Sequence, residues 1–169
     1  DLSSLRLAVT GAASIPVQLI HDMRDILGFE TVITGYGLTE ATGIATMCRF
    51  NDDPETIAKT SGRAISNVDV KVVDTQGLEC TRGEPGQVVV RGYNVMLGYL
   101  DDPAETAKTV VDGWLHTGDI GIMDEGGYLR ITDRLKDMFI VGGFNAYPAE
   151  IEHQLLLHQG VADAAVIGI

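Results

Sequence analysis

The spacing of apolar positions changes character along the chain. Residues 5–13, LRLAVTGAA, form an apolar run that closes in small residues, and residues 30–36, ETVITGY, form a second. Short bounded runs of this kind predict strands of a buried sheet. Between them Val17, Ile20, Met23 and Leu27 recur near the 3.6-residue period. Ser14 is placed as N-cap, Pro16 as an early helical residue and Gly28 as the C′ stop, so a helix is predicted there. Strand, helix and strand in that order predict a βαβ unit of a mostly parallel sheet, whose ligands sit at the carboxyl ends of the strands. Those ends are Gly11-Ala12-Ala13 and Tyr36-Gly37-Leu38-Thr39-Glu40.

From about 51 to 132 the pattern shifts to short β-branched runs, VDVKVVD, GQVVVRGY and GYLRITD, separated by Gly, Pro and Asp clusters. This texture predicts a small antiparallel sheet or barrel. One short helix interrupts it, where Asp102, Pro103 and Glu105 make a capping-box-like start to PAETAKTVV. Beyond Arg134 come a strand, MFIVGG, a helix from near Pro148 through AEIEHQLLLH, a stop at Gly160 and a final strand-like run, VADAAVIGI. The expected fold class is therefore α/β plus β, divided into residues 1–50, 51–133 and 134–169. A strand, a helix and a strand cannot bury a core alone, and the chain opens on Asp1 rather than Met. Both features lead us to expect a piece of a longer protein whose last domain is cut short.

Charge narrows the function classes. The chain of 169 residues carries 12 Lys and Arg against 24 Asp and Glu, a formal charge of −12. Such a surface repels nucleic acid and anionic membranes as a whole, while a local phosphate site stays open. No apolar run reaches the roughly 20 residues that span a bilayer, and the first residues lack the basic and apolar regions of a signal peptide. We therefore expect no membrane span and a cytoplasmic protein; homo-oligomerisation is left open. Cys48 and Cys80 stand apart from any CxxC or His/Cys cluster and read as ordinary thiols.

Three stretches could carry chemistry. In TGYGLTEATG, Gly35 and Gly37 let backbone approach a ligand, Tyr36 can lie flat on a planar base, Thr39 can donate to phosphate and Glu40 can hold a hard cation such as Mg²⁺. A glycine-rich turn with an exposed acid is the plainer alternative. In DGWLHTGDIG, Asp119 is suited to accept both hydroxyls of a ribose, or else serves a turn. Trp114 reads as a packing residue and His116 as structural, since no nucleophile or acid adjoins it. In ITDRLKDMFIVGGFNAYPAEIE, the charged cluster from Asp133 to Asp137 bounds two unlike regions and could be a hinge. Arg134 could fork onto ribose or phosphate, or pair with Asp133 or Asp137. Gly142-Gly143 could line a narrow tunnel or make a tight turn.

Taken together and in order, TGAA, YGLTE, GEPGQVVVRGYNVMLGY, GWLHTGD and DRLKDMFIVGGFNAYPAEIE closely resemble the acyl-adenylate-forming superfamily, and within it the acyl-CoA synthetases. The resemblance implies the end of a large N-terminal domain, a βαβ unit and a small β-barrel subdomain, followed by the start of a small α+β C-terminal domain. It implies a two-step ligase of fatty acid metabolism or a related pathway. A carboxylate attacks ATP·Mg²⁺ to give an acyl-adenylate and pyrophosphate, and coenzyme A then displaces AMP. By the same resemblance Gly11, Ala12 and Ala13 lie beside the adenine, on which Tyr36 stacks. Thr39 contacts phosphate and Glu40 binds Mg²⁺, both counted as catalytic, while Asp119 and Arg134 hold the ribose. Lys136 is the hinge, Gly142 and Gly143 line the coenzyme A tunnel, and Gly35, Gly37 and Thr42 border the acyl pocket. The family's phosphate loop is expected upstream of residue 1 and its C-terminal lysine beyond residue 169, so these residues alone are expected to be inactive. FIVGGFNAYPAEIE is similar to ligases for fatty or other apolar acids, and YGLTEATG with MFIVGGFNAYPAEIE to actinobacterial ligases for a steroid-derived indane-dione propanoate. An adenylation domain serving a carrier-protein phosphopantetheine, a non-catalytic nucleotide-binding module and a luciferase-like oxygenase are the competing readings.

Overall fold

The computed structural model describes residues 3–11, 15–142 and 144–168. A first sheet has the order β1 (Leu7–Thr10), β2 (Thr31–Tyr36), β3 (Thr46–Met47) and β4 (Arg63–Ala64). Leu7–Thr10 and Thr31–Tyr36 run parallel and are joined across α1 (Val17–Asp25), the βαβ unit that the apolar pattern predicts. β3 and β4 then add antiparallel. Ile20, Val32, Ile33, Cys48 and Ile57 form the buried core of this part. The helix ends two residues before Leu27, which is exposed rather than part of its apolar stripe. Gly28 still reverses the chain with φ +76°, and the Phe29 N–H returns to the Met23 carbonyl at 3.1 Å. The expected N-cap Ser14 lies outside the described residues.

The second sheet is antiparallel, with order β5 (Val68–Val73), β6 (Pro85–Gly92), β8 (Trp114–Met123) and, on the far edge of β8, the short β7 (Val110–Val111) and then β9 (Leu129–Arg134). Register shifts between Gln87 and Val89 and between Ile120 and Gly121 mark bulges. Bulges bend the strands that carry them, and the sheet curls into a half-barrel. Its core of Val68, Val72, Val88, Val90, Leu115, Met123 and Leu129 also takes in Ala41 and Ala45 from the first sheet's connection. The two sheets therefore share buried surface.

Polar bonds fix the docking between them. Asn94, 5% exposed, donates from its amide nitrogen to the carbonyls of Ile44 (2.7 Å) and Ala41 (3.3 Å). Thr42 donates its hydroxyl to the Asn94 carbonyl at 2.7 Å. The Met96 N–H reaches the Glu40 carbonyl at 2.8 Å. On the other flank the Tyr128 hydroxyl donates to Asp52 at 2.6 Å, under the Arg63 guanidinium.

Three expectations change. Two short helices interrupt the β-rich region, α2 (Pro54–Lys59) and α3 (Pro103–Thr109), where one is predicted. Asp53 caps the first through bonds from the Glu55 and Thr56 N–H groups, the same Asp-Pro start that identifies the second. After Arg134 a hairpin of β10 (Phe139–Val141) and β11 (Phe144–Ala146) replaces the single expected strand. It leads into α4 (Pro148–Leu156), and the run from 161 to 168 forms no strand among the described residues. No helix among the described residues is long and apolar enough to cross a membrane. Cys48 and Cys80 are both free thiols.

Replacing Asn94 by Ala should take from the Ile44 carbonyl its amide donor, leave the Ala41 carbonyl with the Ile44 N–H alone, and cost about 1–3 kcal/mol. Urea unfolding should show a lower midpoint with an unchanged slope; an unmoved midpoint would show that the amide does not hold the two sheets together.

Candidate functional site

The strand end at Tyr36 and the middle of β8 face each other across the junction of the two sheets. Leu38, Glu40, Thr117, Gly118, Asp119, Arg134, Leu135 and Lys136 line a cleft of about 500 Å³ there. Four of these, Glu40, Asp119, Arg134 and Lys136, are residues singled out from the sequence, and Tyr36 joins them through a bond to Asp119.

Asp119 reaches this position through strand register. It pairs with Arg134 directly across the β8–β9 ladder, so the two side chains share one face of the sheet. The Arg134 Nε lies 3.7 Å from Asp119 Oδ1. The ion-pair partner of the Arg134 guanidinium is thus Asp119, while Asp133 and Asp137 meet only its main chain. Gly118, with φ +75°, turns the backbone before Asp119, and its carbonyl accepts the Leu135 N–H at 2.7 Å. Thr117 donates to the Val88 carbonyl and accepts the Asp119 N–H, which pins this part of the strand.

Tyr36 is half-buried against the core of the curled sheet and donates its hydroxyl to Asp119 Oδ2 at 2.6 Å. Burial, and then the hydrogen bond to the carboxylate, push its phenol well above the ordinary tyrosine range. It is therefore a neutral donor near pH 7. One oxygen of Asp119 is engaged by this phenol and the other faces the arginine. The carboxylate is a shared acceptor rather than a free one, and hydroxyl donors entering the cleft would add to this network.

Glu40 sits in the one-turn 3₁₀ helix Thr39–Ala41 that follows β2. The Tyr99 hydroxyl donates to its Oε1 at 2.8 Å. Thr39 is exposed and opens the same turn. No group of three or more His, Cys, Asp or Glu side chains that could hold a metal exists among the described residues. A single carboxylate with one oxygen engaged fits Mg²⁺, which is usually held by one or two carboxylates together with phosphates and water. The donor set fits that cation only when phosphate supplies the rest.

The remaining sequence candidates lie outside the cleft lining. Gly11 follows β1, and an added Cβ there would come within 3.0 Å of the Gly35 carbonyl. At Gly37 a Cβ would lie 2.4 Å from the Gly43 carbonyl oxygen and 2.5 Å from the Ile44 Cα. At Gly35 it would meet the Ile44 side chain at 2.8 Å. The space freed by these two glycines is thus filled by the returning segment 43–46. Thr42 adopts the left-handed region, φ 54°, and spends its hydroxyl on Asn94. Gly142, φ +59°, makes the turn between Phe139–Val141 and Phe144–Ala146. Ala12, Ala13 and Gly143 lie outside the described residues.

Trp114 is flanked by the Arg91 guanidinium at 4.5 Å and the Lys71 ammonium at 5.2 Å from its ring centre, and His116 bonds to Gln87 at 2.9 Å. Neither residue lines the cleft. Tyr99 and Asn94, which hold Glu40 and its turn, escape a local reading because their partners are 50 or more residues away. Asp133, 9% exposed, is the other surprise. Its carboxylate accepts the Arg134 N–H at 2.6 Å and the Ala149 N–H at 2.9 Å, so it caps α4 from a distant strand.

Comparison with known proteins places the chain in a family. The model of the family described as AMP-binding enzyme matches residues 1–100. The chain is 56% identical over its whole length to a 3-(7a-methyl-1,5-dioxo-octahydro-1H-inden-4-yl)propanoyl:CoA ligase of Rhodococcus jostii (strain RHA1), covering 31% of that protein. It is 41% identical, again over its whole length, to a long-chain-fatty-acid–CoA ligase of Escherichia coli O157:H7, covering 30% of it. The solved structure of the amide bond synthetase McbA from Marinactinospora thermotolerans superposes with a TM-score of 0.83 at 37% identity, covering all of this chain and 34% of that one. The α/β sheet end joined to a curled antiparallel sheet matches about a third of an adenylate-forming enzyme's structure. The chain belongs to the AMP-binding enzyme family. It spans about a third of the length of the curated relatives it matches.

The Tyr36–Asp119 bond has a spectroscopic consequence. In a pH titration followed by tyrosinate absorbance, Tyr36 should ionise only well above the ordinary range, and Asp119→Asn should bring that ionisation down. Identical curves for the two proteins would show that the bond does not form in solution.

Proposed function

We propose that this chain carries the ribose, cation and hinge positions of an ATP-dependent acid–CoA ligase. The juxtaposition of Glu40, Asp119, Arg134 and Lys136 around one cleft carries the reading, because residues from both sheets and from the following turn converge where a nucleotide would lie. The reaction is the activation of a carboxylate as its acyl-adenylate, with release of pyrophosphate, followed by thioester formation with coenzyme A and release of AMP.

In this reading Asp119 accepts hydrogen bonds from the ribose hydroxyls while Tyr36 and Arg134 keep its charge in place. Tyr36 and the loop from Gly11 to Ala13 border the adenine. Thr39 donates to phosphate, and Glu40 holds Mg²⁺, which would neutralise charge on the phosphates. Lys136 is the pivot between residues 51–133 and a C-terminal unit beginning at 134, with residues 1–50 as the distal part of the α/β subdomain. Gly142 and Gly143 line the way for coenzyme A, and Gly35, Gly37 and Thr42 shape the wall of the acyl pocket by letting the 43–46 segment pack close. A ring-bearing, steroid-derived propanoate is favoured over a fatty acid, supported by 56% identity to the Rhodococcus ligase against 41% to the E. coli enzyme.

Acid-dependent ATP–pyrophosphate exchange, measured on the intact gene product with a panel of fatty and ring-bearing acids, tests the reading. Exchange should be fastest with the ring-bearing propanoate. Asp119→Ala should raise the KM for ATP and slow exchange by about 10²-fold, the usual effect of mispositioning a reactant. An unchanged ATP dependence would remove Asp119 from the site, and exchange confined to straight-chain acids would overturn the substrate assignment.

A further inference from the structure

Glu40 is restrained at both its main chain and its side chain by one loop. The Met96 N–H donates to its carbonyl at 2.8 Å, and the Tyr99 hydroxyl donates to its Oε1 at 2.8 Å. Tyr99 is itself fixed. Its own N–H donates to the Thr106 hydroxyl at 2.9 Å, and that hydroxyl donates to the Asp102 carbonyl at 2.8 Å in the first turns of α3. Asp102 caps the same helix through the Glu105 N–H at 2.9 Å. Two residues after Tyr99, Asp101 (φ +56°) holds a left-handed backbone angle that a well-determined loop sustains. A Cβ on Gly98 would lie 3.0 Å from the Thr106 side chain, so the loop is packed directly on the helix.

A carboxylate can meet a cation through one oxygen or through both. Calcium takes six to eight oxygens and readily accepts a two-oxygen carboxylate, whereas magnesium demands a compact octahedron and keeps waters and phosphates as its other ligands. A phenol bonded to Oε1 takes one of that oxygen's acceptor sites and leaves Oε2 the freer oxygen to offer. We propose that Tyr99 is a positioning residue for Glu40: its main chain is anchored through Thr106 to α3, and its hydroxyl disfavours two-oxygen coordination by the carboxylate and so selects a small octahedral cation over a larger one. The proposal rests on the reading of Glu40 as the cation ligand. It also gives the GYLDDPAET segment, which is absent from the cleft lining, a role in nucleotide binding.

The test uses the intact gene product and the equilibrium Kd of a non-hydrolysable ATP analogue in EDTA, in Mg²⁺ and in Ca²⁺. Tyr99→Phe should leave the Kd in EDTA unmoved and reduce the preference for Mg²⁺ over Ca²⁺ by about tenfold, the usual scale for loss of a hydrogen bond to a charged group. Thr106→Val, which frees the Tyr99 backbone but keeps the phenol, should move the same ratio in the same direction by less, and keeps the proposal testable should Tyr99→Phe not fold. Glu40→Gln separates the two levels of the argument. If it leaves the Mg²⁺ effect intact, the cation reading of Glu40 fails and this proposal with it. If Glu40→Gln removes the effect but Tyr99→Phe keeps the wild-type ratio, Tyr99 alone is excluded. Equal weakening by Tyr99→Phe in all three solutions would mark it as a structural support of the loop and overturn the proposal.

Discussion

The docking of the Tyr36–Ile44 connection onto the 94–99 loop is the constraint on which the rest depends. Glu40 belongs to the connection that leaves the first sheet, while Asp119 and Arg134 stand on the second, so no cleft exists until the two are held together. Apolar burial supplies the adhesion, since Ala41 and Ala45 enter the core of the curled sheet. Burial alone is non-directional. Asn94 supplies the direction, because its amide donors meet two carbonyls of one turn and its own carbonyl takes the Thr42 hydroxyl. The left-handed backbone at Thr42 is the local strain that this over-determined contact sustains.

Within the cleft, charge is arranged against the character of the whole molecule. The chain carries a net charge of −12, yet Arg134 and Lys136 converge with only Asp119 and Glu40 on the same lining. A local balance of this kind can receive an anionic ligand that the overall field would repel. Asp119 is oriented by a neutral phenol on one oxygen and a guanidinium near the other. Such preorganisation is set by strand register and core packing before any ligand arrives, and costs no rearrangement at the moment of binding.

Much of the architecture is legible in local pattern. The βαβ unit follows from two apolar runs and the 3.6-residue spacing between them, and the curled sheet from its β-branched runs. The helix at Pro54–Lys59 carries the same Asp-Pro signal as Pro103–Thr109, but with six residues and one buried side chain, Ile57, it leaves almost no apolar period to read. The final apolar run needs a neighbouring strand to become one, and strand character is a property of the pair. The contacts least legible in sequence are those that build the site. Tyr36 and Asp119 are 83 residues apart, and Tyr99 and Glu40 are 59 apart. Asp119 and Arg134 meet only because a bulge between Ile120 and Gly121 shifts the β8–β9 register. The glycines at 35 and 37 read equally as ligand-facing or as packing residues until the returning segment is seen against them.

A crystal structure of the intact gene product with a non-hydrolysable ATP analogue is the most direct measurement. The expected result is a nucleotide in the Tyr36–Asp119–Arg134 cleft, with both ribose hydroxyls within hydrogen-bond distance of the Asp119 carboxylate and the phosphates toward Glu40. A nucleotide bound elsewhere, or one in this cleft whose ribose is held by other groups, would contradict the account.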